Sequence, residues 1–206
     1  MNEKYMGQVR SELDALRHLL EVFPDSETSK IVRMAETIAG AVMKDNVVFT
    51  CGNGGSAADA QHIAGELVGR FRHKVRGYHA SALTTNSSIV TALANDFSYE
   101  EVFSRQIESM GREGDVLLAL STSGGSENVI RAVSTAKALG IHAFAFSGKG
   151  GGRLAEAADI AIVVPHDDFA RIQEIHMTLG HILCGLVEEI VMPPRRGCAE
   201  CESDGK

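Results

Sequence analysis

The segment Ser121-Thr122-Ser123-Gly124-Gly125-Ser126 packs four hydroxyls and two glycines into six residues, directly ahead of the helical pattern ENVIRAVSTAKAL. One serine or threonine is enough to cap a helix. Three hydroxyls are left over, and a dense set of donors at a helix start suits the oxygens of a phosphate. No lysine accompanies them, which fits a phosphate monoester held at rest rather than a phosphoryl group in transfer. A second loop, Cys51-Gly52-Asn53-Gly54-Gly55-Ser56, also leads straight into a helical pattern. Its glycines let a ligand approach the backbone, and Ser56 is suited to cap the helix behind it. The spacing matches neither the dinucleotide fingerprint nor the lysine-bearing P-loop, so no nucleotide is indicated. Taken alone, this loop also reads as an ordinary strand–helix turn.

His62 and Glu66 follow in SAADAQHIAGELVGRF, four residues apart and so on one helix face. Neither fits the apolar stripe of Ile63, Leu67 and Val68. Such a pair is ordinarily a solvated face; a helix that begins at a ligand loop makes it a candidate for acid–base work. The last helical segment, ARIQEIHMTLGHILCGLVEEI, sets Gln173, His176 and His181 among Ile182, Leu183, Leu186 and Val187. His176 reads as a core histidine. Gln173 and His181 are separated by about 12 Å along the helix axis. They can serve one pocket only if it lies between two turns, or if different subunits supply them.

The elements that must position these residues alternate between strand and helix. NVVFTCG, YHASALT, DVLLALS, IHAFAFS and DIAIVVP read as five strands, and helical patterns fall near 56–72, 87–94, 98–110, 126–139, 151–157 and 169–191. Near-continuous apolar strands alternating with helices imply a doubly wound, five-stranded parallel sheet covered on both faces. Ligands then bind at the carboxyl ends of the strands, where both loops fall. Ahead of the sheet, Val9, Leu13, Leu16, Leu20 and Phe23 mark one helix and Ile31, Ala35, Ile38 and Val42 a second, with Pro24 between them. The expected organisation is an N-terminal helical hairpin over 1–45, packing on the core or on a partner subunit, the α/β domain over 46–192, and a flexible tail over 193–206.

Bulk composition excludes several classes. The net charge of −7 argues against a nucleic-acid surface. No apolar run reaches the roughly 18 residues of a membrane span, and the amino terminus lacks the apolar stretch of a signal peptide, so a cytoplasmic protein is expected. Cys51 and Cys184 sit in apolar stretches and read as core thiols, whereas Cys198 and Cys201 form a C-x-x-C pair in the tail that is at most half of a zinc site.

Four ordered motifs, CGNGGSAADAQHIAGEL, ALANDFSYEEVF, GDVLLALSTSGGSENVIRA and RIQEIHMTLGHILC, together resemble the sugar isomerase (SIS) domain family. The resemblance implies a flavodoxin-like α/β fold and the conversion of sedoheptulose 7-phosphate to D-glycero-D-manno-heptose 7-phosphate, toward activated heptose for lipopolysaccharide core. It implies a homotetramer with active sites at subunit interfaces. Asn53, Gly54, Gly55 and Ser56 match the family's substrate loop, Asn95 and Asp96 a pair that reaches the sugar, and Ser121, Thr122, Ser123 and Ser126 the phosphate loop. Glu66 and His181 match the acid–base pair, and Gln173 a substrate contact. His62, Glu66, Gln173 and His181 match zinc ligands of some members. Ala170 stands where some members carry a polar substrate contact. Other members bind the replication initiator or sense sugar phosphates, or isomerise other phosphosugars; the binding modules have no need of the acid–base pair.

Overall fold

A strand made only of apolar and small residues is stable where both faces of its sheet are covered, and the sheet here is built that way. The structure, a computed structural model, describes residues 2–69, 71–73 and 76–192. Helices α1 (Asn2–Glu21) and α2 (Asp25–Val42) precede β1 (Val48–Gly52) and α3 (Gly55–Val68). Next come β2 (Ala80–Ala82), α4 (Ser87–Asp96), a 3-10 turn (Tyr99–Glu101) and α5 (Ser104–Met110). The remainder is β3 (Val116–Ser121), α6 (Glu127–Ala138), β4 (His142–Ser147), α7 (Gly152–Ala157), β5 (Ile160–Val163) and α8 (Phe169–Val191).

All strand pairs are parallel and the order is β2-β1-β3-β4-β5, the flavodoxin-like doubly wound arrangement. The period-two alternation of each strand divides the interior in two. Val48, Leu118, Leu120, Phe144 and Phe146 face a core completed by α2, α3 and α8. Phe49, Cys51, Leu117, Ala119, Ala143 and Ala145 face the other, completed by α5, α6 and α7. Burial pushes the thiols of Cys51 and Cys184 up to about 12, so both remain protonated and unreactive.

The two leading helices are not equivalent. Helix α2 buries Ile31, Met34, Ala35 and Ile38 and packs along α8 as a full member of the first layer. Helix α1 buries Leu19 and is tied to α8 where Arg171 Nη1 donates to the Glu12 carbonyl at 2.7 Å, while Tyr5, Val9 and Leu13 stay exposed.

Three elements differ from the sequence pattern. Strand β2 covers only Ala80–Ala82, because it is an edge strand paired with β1 alone, and the Tyr78 N–H goes to the Leu67 carbonyl instead. The helix expected over 98–110 is broken at Val102 and Phe103, whose side chains are drawn into the core. Helix α3 stops at Val68 rather than 72, since the amides of Phe71, Arg72 and His73 are taken by the Glu188 carboxylate. The tail, with Cys198 and Cys201, lies outside the described residues. Among those described, no helix is long and apolar enough to cross a membrane.

His176 is wholly buried, and its Nε2 lies 3.2 Å from the Ser147 carbonyl, to which it must donate. Nδ1 has no partner. Burial pushes its pKa down from 6.5 to about 4, with the Ser147 bond opposing. The unfolded chain therefore binds this proton first, so stability present at neutral pH is lost as pH falls through the interval between those two values. Urea titrations at pH 7 and pH 5 should show a loss of about 2 kcal/mol from this residue. His176→Gln should lack that increment; an unchanged pH slope in the variant would remove His176 as its source.

Candidate active site

In the strand order, β1 is where the winding reverses: the chain passes from β1 to β2 on one side, and β3 flanks β1 on the other. Gly52 is paired with Leu120, so the loops that leave β1 and β3 open side by side at the carboxyl edge. Helix α3 then descends one face of the sheet and α6 the other, which leaves a crevice between the two loops.

The β3 loop presents its hydroxyls together. Ser121 Oγ lies 3.1 Å from Ser126 Oγ and 3.4 Å from Ser123 Oγ, and Ser123 Oγ accepts the Gly125 N–H at 3.2 Å. Ser126 is the N-cap position of α6 but its side chain makes no capping bond, which frees that hydroxyl for a ligand. Glu127 in the first turn is turned aside: Arg131 and then Arg153 hold its carboxyl below the ordinary range. The loop is braced from behind. Gly124, at φ +64°, offers its carbonyl to the Leu154 N–H at 2.9 Å, and its Cα abuts Gly151 so closely that a Cβ would collide with the Gly151 carbonyl.

The β1 loop is held by amides. Asn53 and Asn128 exchange two hydrogen bonds, Asn53 Nδ2 to Asn128 Oδ1 at 2.8 Å and Asn128 Nδ2 to Asn53 Oδ1 at 2.9 Å. The Tyr99 hydroxyl donates to the same Asn53 oxygen at 3.1 Å. Asn53 thus ties the first loop to α6, leaving the backbone of Gly54 and Gly55 as the exposed part of the loop. Gln173 lies flat on Gly55, where any Cβ would come within 2.5 Å of its carboxamide. Ser56 is buried beneath.

Lower in the same groove, α3 and α8 run alongside one another and bring His62, Glu66 and His181 together. His62 Nε2 is 2.9 Å from His181 Nε2 and 3.2 Å from Glu66 Oε1. One donor atom from each of the three lies within 4.8 Å of the others. Two nitrogens bound to one tetrahedral zinc at about 2.0–2.1 Å stand about 3.3 Å apart, so a small opening of the histidine pair fits an ion. Gln173 is not in this cluster; its Nε2 donates to Asp59 Oδ1 at 3.1 Å, at the loop end of the groove. The separation of Gln173 and His181 is therefore met by two turns of one subunit's groove. Gly180 permits the helices to approach, since a Cβ there would be 2.8 Å from Ile63 Cδ1.

Asn95 and Asp96 end α4, exposed and bonded to each other at 2.8 Å; among the described residues neither makes a hydrogen bond to the loops or to the groove. Asp59, Tyr99 and Asn128 were not singled out by sequence pattern. Asp59 had a visible signal, for it stands three residues before His62 and seven before Glu66 on the same helix face. Burial pushes its carboxyl up from the ordinary value, against the Gln173 bond and the nearby His62, and among the described residues its Oδ2 has no partner.

Residues 13–148 match the SIS domain family. The chain is 51% identical over 169 residues to a phosphoheptose isomerase from Aquifex aeolicus, covering 82% of this chain and 88% of that one. It is 44% identical over 189 residues to a phosphoheptose isomerase from Geotalea daltonii, covering 92% and 98%. Its fold is similar to the solved structure of phosphoheptose isomerase from Neisseria gonorrhoeae, with a TM-score of 0.80 at 38% identity over 91% of this chain and 98% of that one.

The amide brace is separable from the groove. Asn128→Ala removes a buried amide and leaves the half-buried Asn53 with only the Tyr99 hydroxyl, which should cost about 1 kcal/mol of stability. Urea denaturation reads that cost; an unaltered midpoint would show that the brace holds nothing.

Proposed function

The chain belongs to the SIS domain family, among its phosphoheptose isomerases, and on that premise we propose that it converts sedoheptulose 7-phosphate to D-glycero-D-manno-heptose 7-phosphate. The observation that carries the reading is the meeting of Glu66 with His181 in a groove that begins at the ligand loops. His62 lies roughly 10 Å along α3 from the loop that starts the helix. A substrate is then held by one end and converted at the other, which suits a phosphate at C7 and a carbonyl at C1–C2.

Moving the carbonyl from C2 to C1 requires one proton to leave C1, one to arrive at C2, and one to pass from the C1 hydroxyl to the C2 oxygen. The Glu66 carboxylate takes the C1 proton and returns it to C2. The imidazole of His181, able to give and accept, serves the two oxygens. Ser121, Thr122, Ser123 and Ser126 hold the phosphate through hydroxyls and the α6 amides and take no part in the chemistry. Gln173, with the backbone of Gly54 and Gly55, fixes the middle of the sugar. His62, Glu66 and His181 would hold a zinc ion, which would supply Lewis acidity to the carbonyl, while Gln173 stands apart from them, bonded to Asp59 at the loop end.

The working unit is a homotetramer. Helix α4 has no buried residue although it carries Ile89, Val90 and Leu93, and α1 exposes Tyr5, Val9 and Leu13. Closed symmetric assembly covers such faces. Asn95 and Asp96 sit at the end of α4, so sites at subunit interfaces follow from covering that helix. Native mass spectrometry should show four chains; a monomer at micromolar concentration would refute the assembly.

Two variants separate binding from chemistry. Glu66→Gln keeps the shape but cannot take a proton, so kcat should nearly vanish while substrate affinity stays within about tenfold, roughly 1.4 kcal/mol. Ser121→Ala with Ser123→Ala should do the opposite, raising KM because each lost bond to a charged group is worth about 1.5–3 kcal/mol. Product formation followed by NMR decides both. More than a tenth of wild-type kcat in Glu66→Gln would exclude that residue as the base.

A further inference from the structure

His181, Gly185 and Glu188 lie at i, i+4 and i+7 of α8 and form one stripe along it. Glu188 is only 3% exposed. Its Oε1 accepts the Phe71 N–H at 3.0 Å, and its Oε2 accepts those of Arg72 and His73 at 2.9 and 3.1 Å. Amides from three consecutive residues converging on one carboxylate make an anion site, here filled by a side chain of the same protein. Glu188 stands in the last turn of α8, where the helix dipole disfavours a negative charge. Nothing within α8 therefore calls for a carboxylate at that position; the captured segment does.

That segment carries Phe71, whose ring stacks on His181 with centroids 5.6 Å apart and planes 11° from parallel. The ring passes over Gly185, where a Cβ would stand 3.3 Å from Phe71 Cε1. His62 meets the same imidazole edge-on, at 5.0 Å and 79°. His181 is thus clamped on a face by Phe71 and at an edge by His62.

We infer that Glu188 is a positioning residue for His181: it anchors the backbone at 71–73, and so holds the Phe71 ring that fixes the plane of the imidazole. The inference rests on the role given to His181 in the isomerisation above. An imidazole free to turn about its Cβ–Cγ bond would seldom direct its nitrogen at the substrate oxygens, so losing the clamp reduces kcat far more than KM.

The test uses the full chain with Phe71→Leu, Glu188→Ala and Glu188→Gln, and reads two quantities. The first is the chemical shift of the His181 Hε1 proton, which the stacked ring displaces and which is assigned by its absence in His181→Gln. The second is kcat and KM measured separately. Phe71→Leu should abolish the ring-current displacement and lower kcat about tenfold or more, with KM changed less than about threefold. Glu188→Ala should move the same resonance although Phe71 is still present, and lower kcat in parallel. Glu188→Gln, which keeps an oxygen acceptor, should recover much of both. Should Glu188→Ala fail to fold, Gly185→Ala brings a Cβ to 3.3 Å from Phe71 Cε1 while leaving the carboxylate, and should move the same resonance by a smaller amount with kcat lowered in parallel. A resonance unmoved in folded Glu188→Ala, or full kcat in Phe71→Leu, overturns the inference. A wild-type chain that does not turn over sedoheptulose 7-phosphate, yet shows the resonance responding to Glu188→Ala, overturns the isomerase reading and leaves the Glu188–Phe71–His181 coupling established.

Discussion

Gly180 on α8 faces Ile63 on α3 at a distance that a single methyl group would close to 2.8 Å. Ile63 is itself almost wholly buried and cannot swing away. This contact sets the spacing of the two helices, and the spacing sets everything polar between them. His62 and Glu66 on one side and His181 on the other are within hydrogen-bonding reach only because the helices touch there. A wider gap would leave three solvated side chains; a narrower one would leave no room for a sugar or an ion. The hydrophobic packing below the groove is therefore what gives the polar groups above it their geometry.

The two halves of the site use different physics. At the strand ends the groups are dipoles: hydroxyls, amides and the start of α6, on a chain whose net charge of −7 works against an anion. Binding there depends on local donors acting over a few ångströms, where the global field is of little account. In the groove the groups are titratable and partly exposed, and their neighbours are aromatic or other ionisable side chains. Phosphate retention and proton transfer can therefore be altered independently, which is the arrangement an isomerase needs if binding energy from a remote group is to hold the reacting end in place.

Much of this was legible in the sequence, for identifiable reasons. The five strands could be read because each is a short apolar run between turn residues, and their alternation with helices implies a parallel sheet covered on both faces; the order β2-β1-β3-β4-β5 comes from the structure. The serine-rich loop stood out since its hydroxyls exceed any capping need. What escaped were contacts between residues far apart in the chain. Asn128 sits in the first turn of α6 among ordinary helix residues, and only the fold brings it to Asn53, 75 positions away. Glu188 looks like one more acidic residue near a helix end until the amides of 71–73 are placed against it. The early stop of α3 has the same origin, because local helical pattern cannot register a competing acceptor from another element.

The brace behind the serine-rich loop has a consequence for how variation in this protein is interpreted. Gly151 and Gly152 both have positive φ and lie against Gly124, the pivot of that loop. Neither carries a side chain that could meet a substrate. Yet a side chain at either would be strained in its own turn, and would push on the Gly124 carbonyl from Gly152 or on Ala155 and Val163 from Gly151. A saturation scan scored by growth or turnover would therefore rank these positions beside the serines themselves. Intolerance to substitution along this stretch maps where the backbone is crowded, and a contact map inferred from such a scan would draw the binding site one turn too wide.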